Sequence, residues 1–142
     1  MPKIYRSMKR AADGPPIVES ASKELGVRCP PGPHADVDLD SAGHVLLNGR
    51  GMSVAENWRY LPPHLIPKRL LPLVPDASGS NQLFCWSMGN GPFVNDSVNE
   101  SLALRIKPHM PNMGNVVPIE PVAVDRFQLD LAATRNQWQP DE

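Results

Sequence analysis

Proline restricts this chain more than any other residue. The 142 residues include 17 prolines, about twice ordinary usage. Each fixes φ and removes a backbone donor, so each is excluded from helix interiors and central strands. They are spread along the chain, with dense groups at Pro30-Pro31-Gly32-Pro33 and at Pro62, Pro63, Pro67, Pro72 and Pro75. The pattern predicts short elements joined by stiff, irregular connectors, and long helices nowhere except near the C-terminal end. The length suits a single domain, residues 1–142, that buries about two-thirds of its unfolded surface.

Charge and apolar patterning exclude several function classes. The formal net charge is −1, from 14 basic and 15 acidic residues, which argues against holding nucleic acid through bulk electrostatics. The basic residues Lys3, Arg6, Lys9 and Arg10 nevertheless open the chain before the first acidic residue, Asp13. No apolar run approaches the ~20 residues of a membrane span, so no membrane partner is expected. The charged N-terminus lacks the apolar stretch of a secretory signal. Cys29 and Cys85 have no motif spacing and read as buried thiols of a reducing compartment.

Periodicity gives the elements. Ile4-Tyr5-Arg6-Ser7-Met8 alternates as a strand with Ile4, Arg6 and Met8 on one face. An arginine there either snorkels outward or sits in a cleft awaiting an anion. Ser20–Leu25 reads as a short helix stopped by Gly26. Asp36–Asp40 and Val45–Leu47 flank a turn and predict a hairpin. Its alternating aspartates fail as a calcium loop, because Ser41 and Leu47 stand where glycine and glutamate are required. The leucine-rich Leu61–Pro75 connector is too apolar for a free linker and should cross the core in extended form. Leu83–Trp86, Ser101–Lys107 and Val116–Ile119 read as strands, with Pro118 marking an edge, bulge or end. Val124–Trp138 reads as the best helix, with Val124, Phe127, Leu131 and Trp138 on one stripe.

Gly49-Arg50-Gly51-Met52-Ser53-Val54-Ala55-Glu56 carries the strongest chemical signal. Two glycines feed what reads as a helix start, and Ser53 and Glu56 have capping-box spacing. A helix start is also a ready anion site, since free N–H groups and the positive end of the dipole coincide. On spacing alone, Ser53 serves either as a surface cap or as a phosphate contact. His44 and His109 have no partners in sequence and read as structural. Tyr5 and Trp58 are available either to stack on a planar ligand or to fill the core.

With these pieces in order, the chain resembles the ADP-ribosyltransferase-like toxins delivered by type VI secretion systems. The resemblance rests on Ile4-Tyr5-Arg6, on Gly51-Met52-Ser53-Val54, on the Leu61–Leu70 connector, and on Gly114-Asn115-Val116-Val117-Pro118 followed by Phe127 and Trp138. It implies an α+β domain: a small, split, mostly antiparallel sheet with short helices and a helical C-terminus around an NAD cleft. It implies NAD binding by Tyr5, Arg6, Gly51, Met52 and Ser53, with Asn115 and Glu120 as catalytic candidates. It also implies mono-ADP-ribosyl transfer or NAD consumption in the cytosol of a target bacterium, an unknown acceptor, and a cognate immunity protein in the producer. Two departures stand out: Asn115 replaces a histidine common before the third strand, and the usual catalytic glutamate has no clear match. They leave a catalytically silent protein-binding module as one alternative. An RNA- or nucleotide-directed toxin using Arg6, Lys9 and Arg10 is the other.

Overall fold

A computed structural model describes residues 1–142. Its strands are β1 (Ile4–Lys9), β2 (Met52–Ala55), β3 (Leu83–Met88), β4 (Asp96–Ser97), β5 (Leu102–Lys107), β6 (Met110–Pro118) and β7 (Gln139–Pro140). They form one seven-stranded sheet in the order β4-β5-β6-β2-β1-β3-β7, and every named pair is antiparallel. One helix, α1 (Val124–Ala132), follows β6. This is an α+β architecture, and no helix is long and apolar enough to cross a membrane.

Directly opposed residues in an antiparallel ladder point to the same face, so the registers sort the side chains. Ile4 and Met8 of β1, Met52 and Val54 of β2, Leu102 and Leu104 of β5 and Val116 of β6 share the inner face. There they pack with Phe127 and Leu131 of α1 and with Leu25, Val27, Val37 and Val45 from the chain between β1 and β2. Tyr5, Ala55, Cys85 and Met113 share the outer face and form a second cluster with Trp58, Leu61, Ile66 and Ala77. The proline-rich connector thus covers one part of the outer face, as its apolar content predicts. It does so through 3₁₀ turns at Pro63–Leu65 and Lys68–Leu70 rather than as an extended span. Alternate apolar residues on both sides explain why β1 and β3 are buried almost throughout.

The strands expected near Ile4, Leu83, Ser101 and Val116 are all present, and Pro118 falls at the end of β6. The hairpin is a short one: Leu39 bridges Val45, and Asp40 Oδ1 accepts from the Ala42 and His44 amides at 2.9 Å.

Three helical expectations need correction. Ser20–Leu25 is not helical, because its carbonyls serve the Arg6 guanidinium instead of an i→i−4 ladder. The capping box does not form: Ser53 lies within β2, opposite Asn115 of β6, and Glu56 accepts from Asn112 Nδ2 at 2.6 Å. Burial of Met52, Val54 and Ala55 against β6 and β1 overrides the local S-x-x-E spacing. The cap lies four residues past Ser53, where Asn57 accepts from the Arg59 amide and opens the 3₁₀ turn Trp58–Tyr60. The C-terminal helix stops at Ala132 rather than Trp138. Thr134 Oγ1 donates to the Leu131 carbonyl at 2.7 Å and accepts from Trp138 Nε1 at 2.9 Å. These bonds turn the chain into a 3₁₀ segment and still bring Trp138 into the same cluster as Phe127 and Leu131.

Candidate functional site

Pairing within the one sheet is sparsest where β1 and β2 meet, which leaves a local split between two strands that remain neighbours. These strands pair through Tyr5 and Ala55 alone, and beyond that point the Arg6 side chain fills the opening. Arg6 is 6% exposed, so it does not snorkel. Its Nε and Nη2 donate to the Glu24 carbonyl at 3.1 and 3.0 Å, and Nη2 also reaches the Ser22 carbonyl at 3.1 Å. Nη1 donates to the Ser53 carbonyl at 2.7 Å, leaving one of its two N–H bonds without a protein acceptor. Burial lowers the Arg6 pKa to about 10, and the guanidinium stays charged at neutral pH. It pairs with no carboxylate; its partners are backbone carbonyls from two segments, Ser22–Gly26 and β2.

A cavity of about 280 Å³ opens at this split, lined by Arg6, Ser22, Lys23, Arg28, Asp36, Ser53 and Lys107 on its polar side, with Leu61, Leu65 and Met113 on its apolar side. It continues past Ser53 and Asn115, where Asp36, Arg50, Gly51 and Lys107 are also walls. A second cavity of about 510 Å³ adjoins it between the Leu47–Arg50 loop and the outer face of β5 and β6, sharing Arg50, Lys107 and Asn115 as walls. Lys107 lines all three parts. The result is one bent groove with Ser53 and Asn115 at its elbow.

The elbow is built by register. Arg105, Asn115 and Ser53 stand opposite one another on β5, β6 and β2 and therefore project from the same outer face. Asn115 Nδ2 donates to the Gly49 carbonyl at 2.8 Å, which orients the amide, and the Ser53 hydroxyl approaches Asn115 Oδ1 at 3.4 Å. Asp36 is the carboxylate of the groove. It accepts from the Arg28 amide and Nε on one oxygen and from Arg28 Nη2 on the other, and this pairing raises the Arg28 pKa. Arg50 is held by Asp38 at 2.9 Å and by the Ala35 carbonyl. Lys23, Arg105 and Lys107 form no ion pair with the protein.

Of the residues singled out from sequence, Ser53 shares one cavity with Arg6 and the adjoining one with Asn115 and Gly51, while Arg6 and Asn115 line no cavity in common. A Cβ on Gly51 would stand 2.2 Å from the Val116 carbonyl, so this glycine lets β2 and β6 approach. Met52 is 1% exposed in the main core, away from the groove. Tyr5 is buried in the outer cluster, and its hydroxyl donates to Asp141 at 3.0 Å. Glu120 is exposed beyond the end of β6 and does not line the groove. Sequence reasoning missed Asp36, Lys23, Arg28, Arg50, Arg105 and Lys107. For Arg105 and Lys107 the signal was present: they are two apart on an alternating strand and so share a face. No group of His, Cys, Asp and Glu is arranged to hold a metal ion. Both cysteines are free, and burial pushes the Cys85 thiol up to about 12, which leaves it unreactive.

Comparison with protein-family models, with curated proteins and with solved structures returns no match.

Proposed function

We propose that the groove binds NAD and that the chain is an ADP-ribosyltransferase-like, NAD-consuming enzyme. The observation that carries this reading is the juxtaposition of Arg6, Ser53 and Asn115 across adjoining cavities, with Lys23 and Lys107 beside Arg6. A dinucleotide has a doubly charged pyrophosphate between two ribosides. The arm at Arg6, Lys23 and Lys107 supplies the charge and the spare N–H that a pyrophosphate requires. Its apolar side, Leu61, Leu65 and Met113, suits a planar ring.

Breaking the nicotinamide–ribose bond develops positive charge on the ribose, while nicotinamide departs neutral. Ser53 and Asn115 are the hydroxyl and amide available to a ribose at the elbow, and fixed dipoles there cost no reorganisation. Asp36 takes the place that sequence reasoning gave to Glu120. Its carboxylate lies in the wall and is held in orientation by Arg28. The proposed toxin role, in a target-cell cytosol and with a neutralising immunity protein in the producer, rests on the sequence blocks named above.

Calorimetric titration with NAD, paired with an assay of nicotinamide release, tests the reading. Saturable binding and release are expected, with Lys107→Gln weakening affinity about tenfold through loss of a charged contact. Binding without release would leave a silent NAD-binding module, and neither binding nor release would remove the proposal.

A further inference from the structure

The second arm of the groove, about 510 Å³ against about 280 Å³ for the first, is given no contact with NAD in that reading. Its walls combine Arg50, Arg105 and Lys107 with Asn48 and Asn115, and no carboxylate lines it. Leu47 and Ile119, both lining this cavity, are large apolar side chains left 51% and 44% exposed. Cations beside exposed apolar surface suit a ligand that carries a phosphate next to a flat, weakly polar ring.

The elbow adds a chemical restriction. A hydroxyl or amine acceptor must lose a proton as it attacks, which calls for a general base within hydrogen-bond reach. The groove's carboxylate, Asp36, already accepts three bonds from Arg28. A phosphate monoester has its second pKa near 6 and is largely a dianion at neutral pH, so it needs no base.

We infer that the second arm is an acceptor site for the terminal phosphate monoester of a nucleotide, an inference that rests on the NAD reading above. The step balances without an added co-reactant. A phosphate oxygen forms a bond to the ribose C1 as the C1–nitrogen bond breaks, and the electron pair of that bond leaves with neutral nicotinamide. The product is an ADP-ribosylated phosphate, and no proton is exchanged. The net charge of −1 is no obstacle, because a terminal phosphate in a cavity needs local cations rather than a basic face.

The test incubates the full chain and NAD with AMP, with a short 5′-phosphorylated oligonucleotide, or with its 5′-hydroxyl counterpart, and reads product mass. A gain of one ADP-ribose is expected only on a phosphorylated probe, and which of the two is labelled tells a free nucleotide from a strand end. Arg105 touches only the second arm. Arg105→Gln should lower labelling about tenfold or more, well beyond any change in NAD affinity measured in parallel, and Arg105→Lys should restore part of it. Equal labelling of the 5′-hydroxyl probe, or NAD binding with no phosphorylated probe labelled, would overturn the acceptor assignment while leaving the NAD site standing. Absence of NAD binding would overturn both. In that case, Arg105-dependent binding of AMP alone would still mark the arm as a phosphate site without transfer.

Discussion

Replacing Arg6 with alanine should cost the protein much of its stability, not merely a ligand contact. The guanidinium donates to the carbonyls of Ser22, Glu24 and Ser53 at 2.7 to 3.1 Å, and all of these lie in or beside the split. A hydrogen bond involving a charged group is worth about 1.5–3 kcal/mol, so loss of these four would reach several kcal/mol if no water replaced the donor. The cavity admits some water, which offsets part of the loss. Each buried carbonyl left without its donor costs about 1–3 kcal/mol, and for the three carbonyls we expect a net loss of about 3–5 kcal/mol. For a domain of this size that is a fall in Tm of about 10–15 °C. Urea unfolding followed by tryptophan fluorescence measures it, with Arg6→Lys as a companion that keeps the charge but serves fewer carbonyls. A loss below about 1 kcal/mol for Arg6→Ala would refute the view that this side chain ties the Ser20–Gly26 segment to β2.

Other perturbations follow from the same geometry. Ser53→Ala should cost less than about 0.5 kcal/mol in urea unfolding, because Ser53 caps no helix and its hydroxyl is 3.4 Å from Asn115; a loss near 1 kcal/mol would restore the capping reading. Gly51→Ala should destabilise by about 2 kcal/mol or more, since its Cβ would stand 2.2 Å from a backbone carbonyl, and a stable variant would contradict the close approach of β2 and β6. Burial raises the Asp141 pKa, but bonds from Lys3, Ser87 and Tyr5 outweigh it and hold the carboxyl below its ordinary value. Asp141 therefore contributes stability that is fully present above the ordinary carboxyl pKa and lost as pH falls through its lower folded value. Asp141→Asn should flatten that acid limb in melts between pH 5 and about pH 2, and an unchanged slope would count against the cluster.

Strands were legible where alternation was strong, as in Ile4–Met8, buried on both faces, and in Leu102–Lys107, whose outer face carries the exposed Arg105. Helix starts were not, because a capping pattern is local and strand pairing is not. Ser53 and Glu56 satisfy the spacing, yet β6 offers Met52 and Val54 a partner that no four-residue window contains. The helix end at Ala132 was hidden for a related reason: Thr134 and Trp138 bond each other, so the stripe continues in space after the helix has stopped. At the site, Arg6 and Ser53 could be picked out because an arginine on an apolar strand face and a glycine-flanked serine are locally odd. Asp36 and Arg28 could not, since their place beside Ser53 depends on how the Gly26–Arg50 loop folds back over the split.

The groove's affinity for a dinucleotide is tested most directly by two-dimensional NMR of the labelled chain during titration with NAD. Saturable shifts are expected at the amides of Ser22, Lys23, Ser53, Lys107 and Asn115, with those of Asp96 and Ser97 at the far sheet edge unmoved. No saturable shift at millimolar NAD, or shifts confined to residues outside the groove, would contradict the account.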